Sequence, residues 1–330
     1  KYKKGFWKEG TSRAAGKPGK MKMSTCTLCP RACKVDRSKT KGFCGAGSRP
    51  VVARAALHFW EEPAISGTCG SGAIFFCGCN LDCLFCQNHA INHTMIGKEW
   101  EPDALARLML SLQTQGAHNI NLVTPTPHVD SIIPAVLQAK QAGLKIPIVY
   151  NTNGYETLDT LRRLEGIVDI YLPDLKYVSS EIARKYSGIG NYFSFAGKAI
   201  LEMHRQCGTL SCDAKGIAQR GLIVRHLVLP GSVDETRRVL DFLAENLPIT
   251  THLSLMGQYM PCHRSNEMPP LNRRLLRREY DRAIDYCLQH GFENVNVQAL
   301  TSADPAFVPC FTGEVEVERE NLMENPFNHE

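Results

Sequence analysis

From about residue 72 onward, short apolar runs alternate with amphipathic stretches, and this rhythm restricts the fold more than any other feature of the chain. Strand-like runs fall at 72–76, 120–123, 146–150, 167–172, 222–229, 252–256 and 294–297. Helical spacing fills 103–115, 132–142, 157–164, 179–185, 233–246 and 273–290, and Gly116, Gly143 and Gly291 stand where three of those helices should end. Strands alternating with helices imply an α/β fold, with a parallel sheet and right-handed crossovers. Six or seven such units close, or partly close, into a (β/α) barrel of the TIM type, whose site lies at the C-terminal strand ends. Cys79, Thr124, Asn151, Asp174 and Arg225 all sit at or just beyond an expected strand end. Segment 187–221, with Cys207 and Cys212, is long for a connection and reads as a lid or docking surface.

The strongest chemical signal is Cys79-Asn-Leu-Asp-Cys83-Leu-Phe-Cys86-Gln-Asn88. Three thiolates spaced by three and then two residues can each reach one iron of a cubane cluster. No fourth ligand follows at matching spacing. Electron-transfer sites need four ligands, whereas a catalytic site wants one open position, the logic that separates catalytic from structural zinc. A zinc knuckle or buried free thiols are the plain alternatives. Upstream, Cys26, Cys29, Cys33 and Cys44 form a complete set of four ligands. Such a set suits structural zinc or a second, fully ligated iron–sulfur cluster, with unmetallated thiols again the plain alternative.

The chain has 14 cysteines, nine of them between Cys26 and Cys86. No short apolar leader precedes them, so they read as metal or redox ligands in a reducing cytoplasm, not as a disulfide frame. No apolar run approaches the roughly 20 residues of a membrane span. The net charge of +5 comes from the first 24 residues, where eight basic side chains face Glu9 alone, so the remainder is slightly acidic. Neither a nucleic-acid nor a membrane partner is expected. The chain divides into a flexible basic tail (1–24), a Cys-rich metal-binding segment (25–65), a barrel (66–310) and a C-terminal tail (311–330). The missing initial Met reads as a trimmed or processed chain.

In the three-cysteine loop, with Phe85 just before the last Cys, the sequence resembles the radical S-adenosylmethionine (SAM) superfamily. Over roughly 25–310 it looks like the activating enzymes of pyruvate formate-lyase and, more closely, their less characterised iron–sulfur relatives. The stretches Cys26-Thr-Leu-Cys29-Pro-Arg-Ala-Cys33, Gly42-Phe-Cys44-Gly and His58-Phe-Trp-Glu-Glu-Pro63 carry the second likeness. The resemblance implies a [4Fe-4S] cluster on Cys79, Cys83 and Cys86 whose open iron is chelated by SAM. An electron from a donor such as flavodoxin or ferredoxin then yields methionine and a 5′-deoxyadenosyl radical that abstracts hydrogen. The substrate, a glycyl-radical enzyme, another protein or a small molecule, is not named by the residues.

By position, the resemblance assigns Asn151 (in Asn151-Thr-Asn-Gly154), Asp174 and Lys176 (in Asp174-Leu-Lys176) and Arg225 to the SAM site. Each also fits a plain role: a turn cap for Asn151 or Asp174, an ion pair for Arg225. The family's Gly-Gly-Glu stretch is replaced by Val123-Thr-Pro-Thr-Pro-His128, leaving Thr124 and Thr126 as acceptors without a carboxylate. Late in the barrel, Gln258 is a candidate cofactor contact. Tyr259 is the candidate catalytic residue, to bond substrate or relay a hydrogen atom. His58, Glu61 and Glu62 bridge the two segments and read either as lining of the substrate site or, more commonly, as a solvated pair; His128 and His263 read as polar residues of the barrel mouth, and Cys262 and Cys310 as inert thiols. The rival class is a non-catalytic iron–sulfur or zinc protein for electron transfer or partner binding.

Overall fold

The apolar runs assemble into one ten-stranded sheet of order β10-β9-β8-β6-β5-β4-β2-β1-β3, with β7 paired to β8 at its side. The computed structural model describes residues 25–304, 309 and 311. The basic tail expected at 1–24, Cys310, and the C-terminal tail beyond Phe311 lie outside them. The strands are β1 (Val51–His58), β2 (Ser71–Phe76), β3 (Lys98–Glu99), β4 (Ile120–Val123), β5 (Ile148–Thr152), β6 (Ile170–Pro173), β7 (Ser211–Cys212), β8 (Ala218–Leu227), β9 (His252–Met256) and β10 (Val295–Val297). The helices are α1 (Pro63–Ser66), α2 (His89–Asn92), α3 (Pro102–Thr114), α4 (Val129–Gln141), α5 (Leu158–Arg163), α6 (Ser180–Ser187), α7 (Tyr192–Cys207), α8 (Val233–Asn246) and α9 (Arg277–Gln289).

All seven expected strand runs are present, and they form the parallel ladder β2-β4-β5-β6-β8-β9-β10. Among the described residues its two ends do not pair with each other, so the sheet is a partial barrel with a lateral opening. Strand alternation sends Ile74, Phe76, Tyr150 and Tyr171 outward under the helices. Helix α3 packs on β2 and β4 with Leu105, Leu108, Met109 and Leu112, a spacing of three and four that makes one apolar face. Inside the barrel, Val149, Ile170, Leu172 and Ile223 surround Ile65 of α1. That helix closes the lower end, fixed by Asn119, whose Nδ2 donates to the Ile65 carbonyl at 2.7 Å.

Two expectations need correction. The first concerns the boundary at 65/66, which cuts through continuous structure. Strand β1 runs antiparallel to β2 from His58↔Ser71 to Val52↔Phe76. It went unread because VVARAALH buries both faces and shows no clean alternation. The second concerns 187–221, which is no lid. It holds α7, whose Tyr192, Ala196, Ala199, Ile200 and Met203 are buried in the main core, and then the β7–β8 hairpin.

Candidate active site

Strand β2 delivers the three-cysteine loop to the mouth of the barrel. Gly78 makes the turn: its φ is +90°, and a Cβ there would come within 2.6 Å of the Cys44 carbonyl, so only glycine fits. The loop is then tied to α6, with Leu84 N–H donating to Tyr186 O at 2.9 Å, and to Tyr155 O through Asn80 Nδ2 at 2.7 Å.

Each of the three thiols has a polar partner. Asn153 Nδ2 donates to Cys79 Sγ at 3.3 Å, Asn92 Nδ2 donates to Cys86 Sγ at 2.9 Å, and Ser187 Oγ lies 2.9 Å from Cys83 Sγ. Burial pushes the Cys79 thiol up to about 12 and raises Cys83 and Cys86 as well. Donors that favour thiolates, in a site too dry to sustain them alone, describe sulfurs that ionise when a cation binds.

The loop opens onto a cleft of about 670 Å³ that runs down the barrel interior. A charged network forms its floor. Asp174 Oδ2 meets Lys176 Nζ at 2.7 Å, and Asp174 Oδ1 meets Arg225 Nε at 3.0 Å. Arg225 also reaches Asn151 Oδ1 at 2.6 Å and Glu61 Oε2 at 3.3 Å. Glu61 Oε1 in turn accepts from Asn121 at 3.0 Å and Asn151 at 3.3 Å. Burial pushes Asp174 up, but Lys176 and Arg225 outweigh it and hold the carboxyl below its usual range. Burial raises Glu61 and Glu62. Among the described residues, Glu62 Oε2, Asn121 Oδ1 and Gln298 Oε1 are buried without a hydrogen-bond partner.

A family model of the radical SAM superfamily matches residues 73–243, which spans the loop and the floor residues Asn151, Asp174, Lys176 and Arg225. The chain belongs to the radical SAM superfamily. It is 30% identical over 278 residues to the uncharacterized protein MJ0674 of Methanocaldococcus jannaschii, covering 81% of this chain and 75% of that one. Among solved structures, it is similar to Streptococcus suis SuiB bound to precursor peptide SuiA (TM-score 0.47, 15% identity, 69% of this chain) and spans 48% of SuiB. A domain of a pyruvate-formate lyase-activating enzyme from Bacteroides vulgatus is similar at TM-score 0.41 and 15% identity, over 56% of this chain and all of that one.

Radical SAM membership implies a [4Fe-4S] cluster and SAM, and the residues fit both. Among the described residues no three metal-ligating side chains converge on one ion. A cubane does not ask for that, since each thiolate takes its own iron. The floor and its unpartnered acceptors match SAM, which brings ammonium and hydroxyl donors, a sulfonium and a carboxylate.

Other candidates separate in this radical SAM chain. Thr124, at the end of β4 with φ +58°, and Gln258, which accepts from Gln298 at 3.0 Å, line the cleft. Thr126 does not: its hydroxyl is buried and donates to Glu156 Oε1 at 2.6 Å, on the side facing the N-terminal cysteines. Tyr259 borders the cleft. Its hydroxyl donates to the Leu271 carbonyl at 2.5 Å, so the hydrogen relay expected of it has no free O–H. His128 is buried on the Cys77 carbonyl and driven down to about 4 by burial, while exposed His263 stacks on His89. Glu61 and Glu62 overturn the expectation of a solvated pair. An acidic pair after an apolar run gives no sign of burial, and only the antiparallel turn of β1 carries it inward.

Proposed function

We propose that this chain reductively cleaves SAM and uses the resulting radical to take hydrogen from a polypeptide. One observation carries the reading: three partnered thiols and a buried charge network open onto the same cleft. Cys79, Cys83 and Cys86 hold the [4Fe-4S] cluster, and Asn92, Asn153 and Ser187 steady their sulfurs. When bound, the cluster supplies the electron that splits SAM into methionine and a 5′-deoxyadenosyl radical. Lys176 and Arg225 are placed for the carboxylate or ribose of SAM, Asp174 orients both cations, and Asn151 and Thr124 add polar contacts at neighbouring strand ends. Glu61 and Glu62 provide the negative charge that the missing Gly-Gly-Glu stretch would otherwise bring.

The lateral opening supports a protein substrate, a glycyl-radical enzyme or another polypeptide. Exposed Phe59 and Trp60 stand beside the cleft at one end of the sheet, and exposed Val297 at the other. Apolar groups left in water around a catalytic opening suit a partner that covers them. No helix among the described residues is long and apolar enough to cross a membrane.

The test is anaerobic reconstitution with iron and sulfide, then dithionite and SAM, with 5′-deoxyadenosine measured. Deoxyadenosine from the native chain and none from Cys83→Ala is expected. A loaded native protein that neither cleaves nor binds SAM overturns the reading.

A further inference from the structure

The N-terminal cysteines are not a separate module. Cys26, Cys29, Cys33 and Cys44 line one small cavity together with Arg31, Arg37, Phe43, Thr126 and Asn80, and Asn80 follows Cys79 directly in the three-cysteine loop. Arg31 Nε donates to Asn80 O at 2.9 Å. On the far side, Asn153 Nδ2 meets both Asn80 Oδ1 at 2.7 Å and Cys79 Sγ at 3.3 Å. A single residue thus walls the four-thiol cavity and contacts, through one amide, a sulfur of the catalytic loop.

We propose that Cys26, Cys29, Cys33 and Cys44 hold a second iron–sulfur cluster through which a one-electron donor protein reduces the catalytic cluster. All four thiols line one cavity set against the three-cysteine loop, where a redox-active cubane with a thiolate on each corner has a use that a redox-inert zinc ion lacks. Four thiolates make the centre an anion, and Arg31 and Arg37 in the wall, with Arg31 Nη2 buried and unpartnered, offset that charge.

The outer face indicates the donor. Between residues 25 and 49 the chain carries Arg31, Lys34, Arg37, Lys39, Lys41 and Arg49 against Asp36 alone. Lys34, Lys39, Lys41 and Arg49 are exposed, beside Phe43 at 40% exposure. An acidic electron carrier is steered to such a face. No bond is made or broken: the carrier loses one electron, the second cluster gains it, and the catalytic cluster receives it.

This inference rests on the proposed radical SAM reading, so its test separates the two. The full chain carrying Cys79→Ala, Cys83→Ala and Cys86→Ala is loaded anaerobically with iron, sulfide and equimolar zinc. About four irons per chain and the paramagnetic signal of a reduced cubane are expected. One zinc and no iron in that variant overturns the second cluster while leaving SAM cleavage by the native chain untouched. In the otherwise native chain, Cys33→Ser with Cys44→Ser should lower the ratio of flavodoxin-driven to dithionite-driven SAM cleavage at least ~10-fold. A ratio that stays the same overturns the electron route even if the iron count holds.

Discussion

Both cysteine loops lack regular structure, yet they are built in opposite ways. The Cys79 loop leaves a buried strand, turns at a glycine no other residue can replace, and meets an amide or hydroxyl at every sulfur. The Cys26 segment contains no helix or strand, and its four thiols are only half-buried. Side chains tie it to the barrel through backbone carbonyls, with Thr160 Oγ1 donating to Leu28 O at 2.7 Å and Arg31 Nε donating to Asn80 O at 2.9 Å. The first loop is shaped by the fold before any metal arrives. The second, on the proposal made above, would take its shape from its metal, as small metal-stapled segments do.

The sharpest break of this comparison is Cys83→Ala. SAM cleavage should fall by more than ~10³-fold, because an iron loses its only protein ligand. Iron retained at the N-terminal site would show the two regions to be independent in metal loading. Arg225→Met comes next. It strands Glu61 and leaves Asp174 with Lys176 alone in a mostly buried site, and should cost roughly 3 kcal/mol, read as a lower denaturation midpoint. Unchanged stability would mean that the floor is not prebuilt.

A pH experiment probes the shelf under the N-terminal segment. Glu156 is buried and driven up to about 7 by burial, against hydrogen bonds from Thr126, Thr152 and Tyr150. Its native value lies above that of an unfolded glutamate, so its share of stability is complete at low pH and is lost as pH rises through about 7. Between pH 5 and 8 the native chain should lose about 2 kcal/mol more than Glu156→Gln, by chemical denaturation. Parallel pH profiles would remove the effect. The smallest effect is expected from chelation of the Cys79→Ala, Cys83→Ala, Cys86→Ala chain. Trypsin should then cut at Lys34, Lys39 or Lys41 faster, while the barrel midpoint moves by only ~2 °C.

The parallel barrel was legible because its strands and helices keep different periods, and the thiols that share the cleft because three cysteines at that spacing have few other uses. Less was legible where a residue's role depends on direction in space. Glu61 looks like any surface glutamate until β1 turns back along β2, and Tyr259 looks available until its hydroxyl is found on Leu271. Thr126 and Thr124 lie two residues apart, but the positive φ at Thr124 and the short turn after it send them to different cavities.

The bond from Thr160 to Leu28 spans 132 residues, and that from Arg225 to Glu61 spans 164. On the ribosome, the four N-terminal thiols emerge long before the surface they rest on exists. At 5–20 residues per second, they wait on the order of ten seconds or more as an undocked, thiol-rich peptide. The proposed second cluster would therefore have to be loaded in competition with oxygen and stray zinc that reach the thiols during synthesis.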